Sequence, residues 1–300
     1  MSATVRSLSV RTLPPHAYFL VSAVFHYLGP SFAVLLFARL DPPGVAWLRI
    51  ATAGAAFAIW RRPWRLLPAL SLEDRTIVVG LGVVLAVMNI VFYEAIAILP
   101  LAIVGAIEFL GPIAIAAWGA HTRRNLAALA LAVAGVAALT EVRLVAAPLG
   151  YLFAFANCGL FMLYILLGHR IARGGPGVSG IDRLAAAMLV ASAAALPIGL
   201  RDALPAFTNP TLMAAAIGVG VSSSVIPYVC DQLAMNRLPR ASFALLLSLL
   251  PASAAVIGFL VLRQAPTGLE VAGIGLVIAG VALHQAGEPR QMPTGRSNST

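Results

Sequence analysis

The sequence predicts an all-α polytopic membrane protein, with ten transmembrane helices arranged as two inverted five-helix repeats. Three observations lead there. The 300 residues are 60% hydrophobic and only 10% charged, with mean hydropathy +0.93, whereas a soluble domain is about 25% charged. The apolar residues gather into ten runs near bilayer-spanning length. Runs in the first half also recur in the second half at a nearly fixed offset.

A bilayer core of about 30 Å takes roughly 20 apolar residues per helix, within a range of about 17 to 25. The runs fall near His16–Ala38, Gly44–Trp60, Arg75–Ile98, Leu101–Ala120, Asn125–Thr140, Leu149–Gly168, Asp182–Leu200, Thr211–Asn236, Ala241–Leu262 and Gly268–Gln285. Between them lie short connections marked by Pro, Gly or Arg, such as Asp41-Pro42-Pro43-Gly44 and Arg173-Gly174-Gly175-Pro176-Gly177.

The net charge of +9 comes from 20 basic residues, all arginine, and their placement is topological. With the spans counted in order, fifteen arginines fall on one side: Arg6, Arg11, Arg61, Arg62, Arg65, Arg75, Arg123, Arg124, Arg170, Arg173, Arg183, Arg237, Arg240, Arg290 and Arg296. Only Arg39, Arg143, Arg201 and Arg263 fall on the other, and Arg49 lies inside the second span. Cytoplasmic loops collect arginine, so both termini are expected in the cytoplasm of a bacterium, with the chain in its inner membrane. No basic cluster shares a face with interleaved aromatics, which argues against a nucleic-acid partner.

Residues 1–15 carry Arg6 and Arg11 but no apolar core or cleavage site of their own and read as a cytoplasmic segment. The polar stretch 286–300 reads as a disordered cytoplasmic tail. Cys158 and Cys230 both sit in apolar runs and fit neither a disulfide framework nor a zinc site.

Sliding the chain against itself places Ala95–Ile115 over Ala234–Ala254 at an offset of 139, matching Leu99-Pro100 to Leu238-Pro239 and Pro112 to Pro251. AVAGVAAL (Ala132–Leu139) recurs as VIAGVAL (Val277–Leu283) at an offset of 145. The units are therefore 16–140 and 149–285. Five helices each is an odd number, so the second copy enters the membrane in the opposite direction, an arrangement typical of secondary transporters with a midplane site between the halves.

Ionisable groups within the hydrocarbon cost at least about 2.5–3.5 kcal/mol on insertion scales and usually face a cavity or a partner. Glu108, in AIEFLGP (Ala106–Pro112), lies eight residues inside the fourth span and is too short to snorkel. It reads as a ligand for a substrate amine or as a proton site. Arg49 near the start of the second span can offer a fork to a carboxylate. Asp231 follows Ser222-Ser223-Ser224 and Pro227-Tyr228, where proline removes a backbone donor and frees a carbonyl. Glu94 falls near the outer end of the third span and reads as interfacial. His26, Tyr27, Asn89, Tyr93, Asn157, Tyr164 and Tyr228 add neutral hydrogen-bonding groups to the same cavity, and Pro112, Pro227 and Pro251 mark helix breaks.

Enzyme signatures are lacking. The chain has no His-Glu-x-x-His and no Gly-x-Ser-x-Gly, and without a single lysine it has no phosphate-gripping P-loop. The expected partners are a small-molecule substrate and the lipid bilayer, with no cofactor and no metal, and energy would come from a gradient.

Trp47-Leu48-Arg49, Phe92-Tyr93 before Leu99-Pro100-Leu101, AIEFLGP, and SSSVIPY (Ser222–Tyr228) followed by Arg237-Leu238-Pro239 and Leu250-Pro251 together resemble one family. From about residue 16 to 285 the chain is similar to the EamA branch of the drug/metabolite transporter superfamily, and within it to the threonine/homoserine exporters of the RhtA type. It departs from them with Leu250-Pro251 where Glu-Pro is common, and with Arg263-Gln264 where Gly-Glu is common. The resemblance implies secondary-active export of small polar metabolites, amino acids of the threonine/homoserine type above all, by alternating access and with possible proton coupling. A drug or nucleoside exporter of the same fold is the alternative. A membrane-embedded enzyme is a further one, opposed by the lack of a nucleophile with its base or of paired metal ligands.

Overall fold

The computed structural model describes residues 15–66, 68, 70–111, 122–141, 147–172, 178–235 and 249–285, and these are all-helical. α1 spans Pro15–Leu36, α2 Pro42–Arg61, α3 Leu72–Ile98 and α4 Leu101–Glu108. α5 spans Arg123–Glu141, α6 Pro148–Ala172 and α7 Gly180–Phe207. α8 (Pro210–Gly220) passes through a π-helical turn (Val221–Val225) into α9 (Ile226–Met235), and α10 (Leu249–Leu262) and α11 (Gly268–Gln285) follow.

Local chemistry sets the boundaries. Pro42 opens α2, where its missing N–H is one of the unsatisfied donors anyway. Ser71 caps α3 by accepting from the Asp74 N–H, and α3 stops at Leu99, held extended by the proline that follows. Ser179 and Asp182 form a reciprocal capping box on α7, and Asn209 caps α8 by accepting from the Leu212 N–H. Thr267 and Glu270 make the same reciprocal exchange at the start of α11.

Each predicted span overlaps a helix. Among the described residues four stretches are long and apolar enough to cross a bilayer by themselves: Leu72–Ile98, Pro148–Gly168, Gly180–Phe207 and Pro210–Asp231. The molecule also turns large apolar side chains outward, including Leu20, Leu35, Ile59, Leu152, Phe259 and Leu260. Apolar surface on that scale fits lipid contact rather than water.

Two local expectations change. The seventh span does not end at Leu200: α7 continues through Arg201, Asp202 and Pro205 to Phe207. The two charges read as a loop because they interrupt an apolar run, but Ala203 and Ala206 stay buried and Phe207 reaches Trp47 of α2, with ring centroids 6.3 Å apart. The eighth span is continuous in length but not regular, because it carries the π turn just before Pro227. Pro251 lies buried in the first turn of α10, and Pro112 lies outside the described residues.

Without a hydrophobic drive between helices in lipid, association rests on close packing through small residues. α2 packs on α7, α3 on α6 and α7, α1 on α9 and α10, and α5 on α11. In the last pair a β-carbon on Gly280 would lie 2.6 Å from the Ala128 carbonyl oxygen, and one on Gly135 would lie 2.5 Å from the Gly273 carbonyl oxygen. Both obstructions are backbone and cannot yield. Gly280→Ala is therefore expected to destabilise the protein by about 1–3 kcal/mol, the usual range for overpacking, seen as a lower melting temperature in detergent. An unchanged melting temperature would show that α5 and α11 are free to separate.

Candidate functional site

The buried stretch Gly44–Ile50 of α2 includes Arg49, which is only 6% exposed. Its guanidinium is held by neutral groups. Nε donates to Ser224 Oγ at 2.8 Å, Nη2 donates to the Ser223 carbonyl at 2.9 Å, and Cζ lies 5.3 Å from the centroid of the Tyr93 ring on α3. The Ser223 carbonyl is available for a sequence reason. An α-helix would close it with the N–H four residues on, and that residue is Pro227, which has none. The π turn just upstream widens the backbone at the same place.

Two glycines bring the neighbouring helices close enough. A β-carbon on Gly220 would meet Thr52 Cβ at 2.5 Å and the Arg49 carbonyl at 3.0 Å, so α2 lies directly against the turn. A β-carbon on Gly29 would overlap the Ser223 backbone at 2.7 Å, so α1 closes the other side.

The second charge is Glu108, at the end of α4 and 4% exposed. Asn157 Nδ2 of α6 donates to Oε1 at 3.1 Å, and the Tyr27 hydroxyl of α1 donates to Oε2 at 3.4 Å. The ion pairs among the described residues are Arg61–Asp182 at 2.6 Å and Arg183–Asp74 at 4.0 Å, and neither Arg49 nor Glu108 belongs to one. Buried charges are ordinarily paired. Here a guanidinium and a carboxyl group are each held by neutral partners instead. Three buried polar atoms on the same helices also lack a hydrogen-bond partner among the described residues: Tyr93 Oη, Ser223 Oγ and Asn157 Oδ1. Such orphans require an explanation in a folded protein.

Aromatic side chains pack against one another on the same helices. His26 meets Tyr27 edge to face at 5.3 Å, and Phe109, Phe161, Tyr164 and Tyr228 follow one another at 6.1, 5.8 and 6.1 Å between centroids. Asn89 donates to the Leu85 carbonyl of its own helix at 2.7 Å and approaches the Tyr228 side chain. Asp231 accepts from Ser22 of α1, whose hydroxyl also lies 3.4 Å from the Pro227 carbonyl. Glu94 is half-buried near the end of α3.

The sequence-derived candidates thus form two clusters. Arg49 and Tyr93 gather on the π turn, while Asn157 and Tyr27 gather on Glu108. Tyr164 and Tyr228 make an aromatic row alongside, and Asp231 sits apart with Ser22. Sequence reasoning did not select Ser223 and Ser224 as the groups that hold Arg49, nor Ser22, whereas Tyr27 was among its candidates. The usable signal for the first two was a pair of small hydroxyl residues three and four positions before a proline.

An apolar all-helical chain with buried ionisable groups held by neutral partners has the makings of a solute carrier, and comparison with known proteins agrees. The model of the EamA-like transporter family matches residues 148–284. The threonine/homoserine exporter RhtA of Escherichia coli (strain K12) is 31% identical over 278 residues, covering 90% of this chain and 92% of the exporter. The exporter of the same name from Salmonella typhimurium (strain SL1344) is 32% identical over 282 residues, with the same coverage. A solved crystal structure superposes with a TM-score of 0.56 at 19% identity, covering 90% of this chain and 98% of its own, which bears on the fold. The chain belongs to the EamA-like transporter family and is a multi-pass membrane transporter rather than an enzyme.

If Asn157 serves the site rather than helix packing, Asn157→Ala should lower transport about tenfold or more, because a ligand-binding group must be held in place by its neighbours. Stability in detergent should move by less than about 1 kcal/mol, since one interhelical hydrogen bond in a membrane contributes about 0.6. Efflux and melting measured side by side on one preparation check this.

Proposed function

We propose that this transporter is a secondary-active exporter of small amino acids of the threonine/homoserine type, moving them out across the bacterial inner membrane by alternating access. The observation that carries the reading is the pair Arg49 and Glu108, buried opposite charges that each have only neutral partners. A zwitterion brings what both lack. Its carboxylate matches the guanidinium fork, and its ammonium matches Glu108. Tyr93 Oη, Ser223 Oγ and Asn157 Oδ1 stand ready for its remaining polar groups. The names of the enterobacterial relatives point to the same substrate class.

In this reading Glu108 and Arg49 bind the two ends of the substrate. Tyr93, Tyr228, His26, Asn89, Asn157 and Tyr164 line the cavity, and Asp231 stands towards its cytoplasmic end. Substrate ammonium and a proton compete for Glu108. A carrier that reorients only when this carboxylate is neutralised by one or the other exchanges the two without a leak.

The two units, 16–140 and 149–285, are read as repeats of opposite topology rocking against each other. The α5–α11 interface supports this. Gly280 is the counterpart of Gly135, and Gly273 that of Ala128, both at the 145-residue offset. The contact of Gly135 with Gly273 and the contact of Gly280 with Ala128 are therefore the same contact seen from the two halves. The arginine bias supports cytoplasmic termini.

Export is tested by loading proteoliposomes with a panel of amino acids and imposing a proton gradient. L-Threonine or L-homoserine efflux should follow the gradient, and Glu108→Gln should abolish it while the protein still inserts and folds. Near-normal export with unchanged pH dependence would reduce Glu108 to a packing residue. Orientation has its own test. A reporter active only outside the cytoplasm should be silent when fused after Gln285 and active when placed between α7 and α8 at Thr208-Asn209; the reverse would overturn the arginine count.

A further inference from the structure

Resting on the reading above, we infer that Pro227 sets substrate affinity by leaving Arg49 a resident anchor, the Ser223 carbonyl, which a substrate carboxylate docking side-on at Nε and Nη2 has to displace. Pro227 touches no charge itself and acts through position alone. Its missing N–H leaves the carbonyl four residues earlier without a helical donor. Arg49 Nη2 occupies that carbonyl at 2.9 Å, and Nε takes the Ser224 hydroxyl beside it at 2.8 Å.

In the empty carrier the guanidinium is thus drawn onto the backbone of the eighth span, over the Tyr93 ring. A buried carbonyl without a donor is unfavourable, and so is a buried guanidinium without acceptors, so each stabilises the other. When a substrate carboxylate docks side-on against Nε and Nη2, the edge these two contacts hold, at least one of these bonds is given up. The Ser223 carbonyl is then released at the point where the helix already departs from α geometry. Binding is weakened by the exchange, and the π turn is loosened by it. The same contact that lowers affinity therefore links occupancy to the flexible point between α8 and α9. Gly29 of α1, packed directly on this turn, and Gly220 at the end of α8, packed directly on α2, carry the change to both neighbouring helices.

The role concerns only the carboxylate end, which yields a test that general misfolding does not imitate. In proteoliposomes, half-saturating concentrations are measured for L-threonine and for L-threoninamide, which keeps the ammonium but has no carboxylate. Pro227→Ala supplies an N–H for Ser223 and should lower the value for threonine about tenfold, while the value for threoninamide moves less than about twofold. Turnover at saturation should fall, because the turn no longer opens on binding. Ser224→Ala, which leaves the backbone untouched, removes the second anchor and should show the same preference for threonine on a smaller scale. If both substrates shift together in these variants, or neither shifts, the anchoring role of Pro227 is overturned while the exporter reading stands. If the unaltered carrier moves no threonine, the exporter reading fails first and the inference fails with it.

Discussion

The architecture around the site depends on one interaction, the hold of the π turn on the Arg49 guanidinium. A guanidinium keeps its charge at any physiological pH, so burying it inside a membrane protein demands acceptors in the right place. Side-chain carboxylates would be the ordinary solution. This chain uses a serine hydroxyl and a backbone carbonyl that a proline has left open. Everything nearby accommodates that choice. Gly220 admits α2, Gly29 admits α1, and Tyr93 lays its ring under the cation.

The consequence is a charge left available. Had Glu108 been the partner of Arg49, the two would have neutralised each other and a substrate would have had to break a buried ion pair. Held apart, with Glu108 bound by Asn157 and Tyr27, they face the interior as two separate ends. The true ion pairs of the described residues lie instead at the helix ends. Arg61 reaches Asp182, and Arg183 reaches towards Asp74 while donating to the Ile171 carbonyl at 3.0 Å. Charge thus serves fastening at the ends, and in the proposed reading recognition in the middle; the difference lies in whether a counter-ion is within reach.

Much of this was legible in the sequence, for reasons that also explain what was not. The positions of the helices follow from run length, because the bilayer fixes how many apolar residues a helix needs. Arg49 and Glu108 stood out because charge in such runs is costly, and Pro227 because the missing donor of proline is a property of the residue itself. Run length does not say which faces meet. That Asn157 would reach Glu108, or that Ser223 and Ser224 would receive Arg49, depends on the approach of α6 to α4 and of α2 to the π turn. α7 ran past its expected end because Arg201 and Asp202 interrupt hydropathy without interrupting helical hydrogen bonding. The glycine contacts of α5 and α11 could be read only as a repeat offset until both helices were placed.

The central claim, that Arg49 and Glu108 are the two ends of one zwitterion site, is tested most directly by an experimental structure of the carrier with L-threonine bound. The account predicts the threonine carboxylate on the Arg49 guanidinium, the ammonium within hydrogen-bonding distance of Glu108, and the contact between Arg49 Nη2 and the Ser223 carbonyl released. A threonine bound elsewhere, or bound between these helices with Arg49 and Glu108 still on their present partners, would contradict it.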